Sequence, residues 1–222
     1  MKKQIYLILG YGVPKDILSD KHYDRYFSQA FNCIYNQSAG GPAVIIFSGG
    51  PTDCYKPYKR TEAGEMLKLF KKFCGQSFVR KAVKRWKLLV ENKSLSTLEN
   101  LLFAKNILIG KKIKGGNLTI FCEATRVRRI KILAGKIFSK LFKIKIVSVD
   151  FDTSVNRYCA KDFLDKKEKK SLKLELRALK DKKLLKKARG LCLERLEMFR
   201  NEGYNKNPVV ITKWWKEVFM KL

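Results

Sequence analysis

The sequence has little of what metal centres need. Its 222 residues include a single histidine, His22, which cannot build a histidine-based site alone. The cysteines are scattered and form no CxxC pair, whereas metal sites use ligands at short, repeated spacings. The sequence therefore predicts no metal site, and it indicates buried, reduced thiols in a cytoplasmic protein. The six cysteines are Cys33, Cys54, Cys74, Cys122, Cys159 and Cys192.

Long hydrophobic runs are also missing. No segment approaches the ~20 consecutive apolar residues of a transmembrane helix. The first residues, MKKQIYLILGYGVP, contain an apolar core that is too short for a signal peptide and suits a central strand better. We therefore expect no transmembrane segment and a cytoplasmic location, with peripheral contact to a membrane as the alternative.

Acidic residues are scarce beside basic ones: 20 Asp and Glu against 49 Lys and Arg give a formal net charge of +29. Such a charge favours association with nucleic acid, anionic lipid or acidic small molecules. A proteome-wide preference for lysine explains it equally well. Hydrophobic residues make up 45% and charged residues 31%, a composition typical of globular proteins.

Apolar segments alternate with amphipathic segments along the first 150 residues. Helical patterns separate the apolar runs, and Ser96 and Glu99 have the capping-box spacing at the start of one of them. This alternation predicts an α/β fold: a Rossmann-like, doubly wound, mostly parallel sheet of about five strands with helices on both faces. The predicted strands are QIYLILGYG, AVIIF, KLLVE, NLTIFCEAT and KIKIVSVDF.

The composition changes beyond Asp152. Residues 158–202 have a leucine stripe among many lysines, interrupted at Gly190, and the tail NPVVITKWWKEVFMKL predicts an edge strand with a short helix, or a cover for the sheet. We expect a Rossmann-like domain at residues 1–157 and a basic helical extension at 158–222, packed on or beside it. A solvated face explains its lysines, and non-specific binding to nucleic acid or an anionic membrane is the alternative.

Glycines and polar residues cluster where the predicted strands end. Ligands bind beyond the carboxyl ends of the strands in open α/β sheets, where glycines let backbone N–H groups approach an anion. Arginine side chains there can bind phosphate or carboxylate with two hydrogen bonds. The candidate ligand-binding residues are Gly10, Ser48, Gly49, Gly50, Ser94, Thr97, Asn100, Arg126 and Arg129, and the candidate catalytic carboxylates are Glu62 and Glu91.

Each candidate also has a purely structural explanation. Gly10 and Gly12 lack the third glycine of a dinucleotide-binding fingerprint, because position 15 is lysine. The Ser-Gly-Gly sequence suits a simple turn, and Ser96 suits a helix cap. Glu62 at a helix start is favoured by the helix dipole whatever its function. The arginines suit the solvated face of a helix. Taken singly, none of them supports a function.

The order of these motifs resembles the YdcF-like family. The segments LILGYG, FSGG, TEAGEM, VENKSLSTLEN and FCEATRVRR follow the family's order and spacing across residues 4–155. The most specific part is ENKSLSTLEN, in which Glu91, Ser94, Thr97 and Asn100 occupy family-like positions. The resemblance identifies the polar segment between the third strand and its helix as the family's ligand-site loop.

The resemblance implies a Rossmann-like domain that binds an anionic or nucleotide-like ligand at the carboxyl edge of the sheet. It further implies a role in cell-envelope or peptidoglycan-precursor metabolism. The expected partner is an anionic small molecule or a lipid-linked phosphate, and S-adenosylmethionine is the candidate cofactor. A hydrolase or a transferase acting on a phosphorylated or S-adenosylmethionine-like substrate is compatible with these expectations.

One position departs from the family pattern. Arg126 stands where the family usually has histidine, and Arg129 stands at the family's arginine. Arginine does not exchange protons near neutral pH, so anion binding survives this change better than acid–base catalysis does. A catalytically inactive family member is therefore a further alternative.

Overall fold

A five-stranded sheet forms the centre of the structure, a computed structural model that describes residues 3–38, 40–138, 142–149, 161–202 and 208–217. The strands are β1 (Gln4–Leu9), β2 (Ala43–Ser48), β3 (Trp86–Glu91), β4 (Gly116–Glu123) and β5 (Phe142–Val149). All pairings are parallel, in the order β3-β2-β1-β4-β5. The predicted Rossmann-like α/β fold is confirmed, and the direction of sheet growth reverses between β1 and β4.

Helices cover both faces of the sheet. They are α1 (Lys21–Ser38), α2 (Glu62–Cys74), α3 (Arg80–Val83), α4 (Thr97–Gly110), α5 (Val127–Phe138), α6 (Lys161–Ala178), α7 (Lys182–Glu202) and α8 (Pro208–Glu217). Alternate residues of a strand point to opposite faces, so Tyr6 and Ile8 of β1 pack with α1 and α2, whereas Ile5 and Leu7 pack with α4 and α5. This two-sided burial explains why the central strands β1 and β2 are almost continuously apolar.

The carboxyl-terminal extension packs onto the α4–α5 side of the sheet. Ala178 is buried in that core, and Leu172, Leu176 and Leu185 pack against it. The leucine stripe of the sequence is therefore a half-buried face, of which Leu193 remains exposed. Over the described residues, no helix combines the length and apolar character that crossing a membrane requires. The domain boundary predicted at residue 157 and the end of the predicted fifth strand beyond Val149 lie outside the described residues.

The interruption predicted at Gly190 was wrong, and of the alternatives for the tail the edge strand does not occur in its described part. Helix α7 continues through Gly190, and the interruption lies instead between Ala178 and Lys182, where Asp181 accepts hydrogen bonds from the amides of Lys183 and Leu184. A glycine inside a helix lowers its stability by only ~1 kcal/mol, whereas an aspartate N-cap determines where a helix begins. The described part of the tail, Pro208–Glu217, is helical and contains no strand.

Candidate functional site

A cavity of about 180 Å³ lies at the carboxyl edge of the sheet. The loops after β1 and β2, the start of α4 and the start of α5 form its floor, and α6, α7 and α8 form its roof. Its floor therefore includes the carboxyl end of β1, beside which the direction of sheet growth reverses. Ligands bind at this position in open α/β sheets.

Cationic side chains outnumber carboxylates in the lining of the cavity. Burial raises the pKa of Glu62 and of Glu175, and the nearby arginines oppose this only in part. Both groups are thus easier to neutralise than an ordinary glutamate, which makes the cavity more favourable for an anion. The charged lining residues are Arg126, Arg129, Lys167 and Arg195, together with Glu62, Glu168 and Glu175.

Glu91 anchors the loop between β3 and α4. One carboxylate oxygen accepts hydrogen bonds from the hydroxyls of Ser48 (2.7 Å) and Ser94 (2.6 Å), and the other accepts from the amides of Lys93 (2.7 Å) and Ser94 (3.0 Å). Glu91 and Ser48 are buried and do not line the cavity. The structure therefore gives these two residues, and the Ser94 hydroxyl, positions inside a structural hydrogen-bond cluster rather than facing a ligand.

The predicted glycines make room for groups of the protein itself. A Cβ on Gly10 would lie 2.1 Å from Glu62 Oε2, and a Cβ on Gly49 would lie 2.5 Å from Glu62 Cβ. A Cβ on Gly50 would lie 1.9 Å from the carbonyl oxygen of Ser94. Packing thus accounts for all three glycines. Gly10 and Gly50 line the cavity and Gly49 does not.

Glu62 is the predicted carboxylate that faces the cavity. It is the first residue of α2, whose N-cap Thr61 accepts a hydrogen bond from the amide of Gly64. Its side chain is 8% exposed, and the hydroxyl of Thr52 donates to Oε1 over 2.6 Å. Burial raises the pKa of Glu62, while Thr52 and Arg126 act to lower it. A carboxyl with a raised pKa is suited to accept or donate a proton near neutral pH.

Arg126 lies in the short helical turn between β4 and α5 and lines the cavity. Its guanidinium is 4.4 Å from the ring centroid of Tyr11, and Nη2 donates to the carbonyl oxygen of Gly10 over 3.0 Å. Its Nε is buried and has no hydrogen-bond partner among the described residues. Leaving a buried donor unsatisfied costs ~1–3 kcal/mol, and this cost is a property of the protein's own packing.

Asn100 and Thr97 reach the cavity from the first turn of α4. Asn100 is 6% exposed, and its amide side chain makes no hydrogen bond to a described residue. Both residues were predicted from the ligand-site loop, and the structure brings them together with Glu62 and Arg126. Together with Arg129, these four residues are the predicted ones whose side chains line the cavity without being engaged in the Glu91 cluster.

Arg129 is bound to the protein's own carboxylates. Its Nε lies 2.8 Å from Glu168 Oε2, and its Nη1 lies 3.3 Å from Glu175 Oε2. The amide of Leu98, in the first turn of α4, donates to Glu175 Oε1 over 3.2 Å. Burial acts to raise the pKa of Glu168, but Arg129 holds that pKa below its usual value. The amino terminus of α4 and the guanidinium of Arg129 together form a favourable position for an anion. The carboxylate of Glu175 already occupies that position.

Arg195 was missed by the sequence analysis. It lies on α7, lines the cavity, and places its guanidinium 5.1 Å from the ring centroid of Trp215. Its Nε is buried without a hydrogen-bond partner in the described part of the chain. Because the sequence pattern indicated a solvated surface for the lysine-rich extension, no residue of the extension was predicted to lie in the site. A usable signal was present on α6, where Glu168 and Glu175 lie among the buried residues Leu164 and Leu174.

The cavity is small for S-adenosylmethionine, the cofactor that the resemblance implies. Pockets for ligands of that size measure roughly 300–1,000 Å³, whereas this cavity measures about 180 Å³. A ligand of the size of a phosphate or a small phosphomonoester fits better.

The substitution Glu62→Gln tests whether the ionised Glu62 carboxylate destabilises or stabilises the folded protein. The folded state favours protonated Glu62, so its ionisation costs stability as the pH rises above the unfolded value of about 4.3. Glu62→Gln should raise the free energy of unfolding by about 1 kcal/mol at pH 8 and by nothing at pH 4. Urea unfolding at both pH values measures this. Destabilisation at pH 8 would show that the ionised carboxylate instead stabilises the fold through Arg126.

Comparisons with protein-family models, curated proteins and solved structures find no match for this chain. The functional argument therefore depends on the fold and on the geometry of the cavity.

Proposed function

We propose that the protein binds a small anion, of the size of a phosphate or a phosphomonoester, in the cavity at the carboxyl edge of its sheet. The observation that carries this proposal is the pair Arg126 and Arg195. Each lines the cavity, and neither guanidinium forms an ion pair with a carboxylate of the described residues. Guanidinium groups match phosphate and carboxylate oxygens in geometry as well as in charge.

The neighbouring residues support the same ligand class. The Asn100 amide, which bonds to no described residue, offers donors and an acceptor within the cavity. Arg129 is neutralised by Glu168 and Glu175, so it contributes to the shape of the site more than to its charge. The ligand in this proposal therefore lies on the Arg126 side of the cavity, beside Glu62.

Glu62 is the group that we assign to proton transfer. Its raised pKa and its place on the cavity wall suit a general acid or base for a hydrolase or transferase acting on a phosphorylated substrate. Arg126, at the position where the family usually has histidine, supplies charge and not a proton. The resemblance to the YdcF-like family adds a cell-envelope ligand, such as a lipid-linked phosphate, to the proposal.

Calorimetric titration with inorganic phosphate and with glycerol phosphate tests the proposal. Arg126→Gln should weaken binding by at least about tenfold, because a charge-assisted hydrogen bond contributes ~1.5–3 kcal/mol. Arg25→Gln is the matched control, since it removes the same charge from an exposed side chain of α1 that does not line the cavity. Asn100→Ala should also weaken binding. Equal losses in the Arg126 and Arg25 variants would mean that overall charge, and not the cavity, binds the anion.

A further inference from the structure

Helix α6 separates its charges by face. The carboxylates of Glu168 and Glu175 are buried against Arg129, whereas Lys166, Lys169, Lys173 and Arg177 are exposed. At about 100° per residue, these four basic positions fall within roughly a quarter of the helix circumference. They form a cationic face, called here the α6 cationic face.

A groove of about 590 Å³ runs between this face and the start of α5. Thr125 and Arg128 line one wall, and Lys169 and Lys173 line the other. Two carboxylates also line the groove: Asp165, which is exposed, and Glu168, which is paired with Arg129. Within the described ranges, neither Lys169 nor Lys173 has an ion-pair partner. Three cations therefore line the groove against one exposed carboxylate, so the groove keeps a net positive charge.

We propose that the α6 cationic face and Arg128 bind the phosphate backbone of double-stranded nucleic acid. From Lys166 to Arg177 the helix rises about 16 Å, at ~1.5 Å per residue. One strand of a duplex presents about five phosphates over that length. The α6 cationic face is therefore similar in length to five phosphates of one duplex strand, and its positive charge is complementary to theirs. Contacts of this kind fix position without reading sequence.

The surroundings of the α6 cationic face favour a duplex over a membrane or a single strand. The apolar residues Phe163, Leu164 and Leu174 of α6 are buried in the protein. No apolar face of this helix is therefore left to enter a bilayer. Single-strand binding uses exposed aromatic side chains on which bases stack, and the only aromatic residue on α6 is the buried Phe163.

Fluorescence anisotropy with a labelled 20-base-pair DNA duplex tests this surface on the full chain. Between 50 and 200 mM salt, the slope of log K against log salt should be about −4 to −5 for five phosphate contacts. The variant K166Q/K169Q/K173Q should have a slope shallower by about 3, and a Kd at least about tenfold higher at 100 mM salt. The matched control is K68Q/K71Q/K72Q, which removes three exposed lysines from α2, on the opposite face of the sheet. This control should keep a slope within about 1 of the wild type.

Every other outcome overturns the proposal. Equal losses in the two triple variants would assign binding to net charge alone. Tighter binding of a single strand than of the duplex would exclude the duplex. Weaker binding of the α6 variant to phosphatidylserine-containing vesicles, with unchanged duplex binding, would identify the surface as a membrane contact. All six lysines are exposed, so both variants should melt at the wild-type temperature.

Discussion

Arg129→Met lowers the free energy of unfolding by about 3–5 kcal/mol, because it leaves two buried carboxylates without their cation. Arg129 is 8% exposed, and its guanidinium is paired with Glu168 and Glu175 on α6. Glu175 also accepts from the amide of Leu98, so the ion pair joins the extension to α4 as well as to α5. Urea denaturation at pH 7, compared with the wild type, measures the loss.

Two controls attribute the loss to the buried charges. Arg129→Met/Glu168→Gln/Glu175→Gln should recover most of it, because neutral side chains of similar volume replace all three charges. Arg128→Met, on the exposed side of the same turn, should change stability by less than about 0.5 kcal/mol. A loss below about 1 kcal/mol in Arg129→Met would mean that water reaches the cluster and that the extension is not joined through it.

The pH dependence of this loss has a defined sign. The pKa of Glu168 is lowered in the folded protein, so its contribution to stability is present above the unfolded value of about 4.3 and disappears as the pH falls. The pKa of Glu175 is raised, so that group favours folding at low pH and opposes it as the pH rises. Removing Arg129 should therefore cost less at pH 3 than at pH 7, since burial favours the protonated form of both carboxyls once their cation is gone.

Gly50→Ala should lower the free energy of unfolding by about 3 kcal/mol, at the upper end of the cost of overpacking a core. The added Cβ would lie 1.9 Å from the carbonyl oxygen of Ser94, a backbone atom that cannot rotate away. The carbonyl of Gly50 also accepts from the amides of Thr52 and Glu62, so a shift of this residue disturbs the start of α2.

The control for Gly50→Ala is Gly135→Ala in α5. A Cβ on Gly135 meets no atom within 4 Å, and alanine is the better helix former, so this variant should gain about 0.5–1 kcal/mol. The two substitutions therefore change stability in opposite directions. Tolerance of Gly50→Ala within about 0.5 kcal/mol would contradict the close approach of the β2–α2 loop to the β3–α4 loop.

The fold was predictable because the central strands are buried on both faces. An unbroken apolar run such as Ile5–Leu9 suits only a strand that is covered on both sides, and alternation with helices then requires a parallel sheet. The general position of the site followed from the same topology. Glu62, Thr97, Asn100 and Arg126 were predicted at strand ends and helix starts, and the structure gathers them around one cavity.

The role of each carboxylate was not predictable from the sequence. Glu91 ends β3 and Glu62 begins α2, but the hydroxyls of Ser48 and Ser94 turn Glu91 inward, and those contacts depend on loop geometry. The roof of the cavity could not be predicted from the sequence for a different reason. Arg129 meets Glu168 and Glu175 across 39 and 46 residues of sequence, and no local pattern specifies such a pairing. Only the position of two glutamates among the leucines of α6 pointed to it.

Diffraction from crystals soaked in tungstate, a phosphate analogue with a strong anomalous signal, tests the proposed anion cavity most directly. We expect an anomalous peak inside the cavity, within hydrogen-bonding distance of Arg126 and Arg195 and beside Asn100. Peaks confined to the exposed lysines of α6, with none in the cavity, would contradict it.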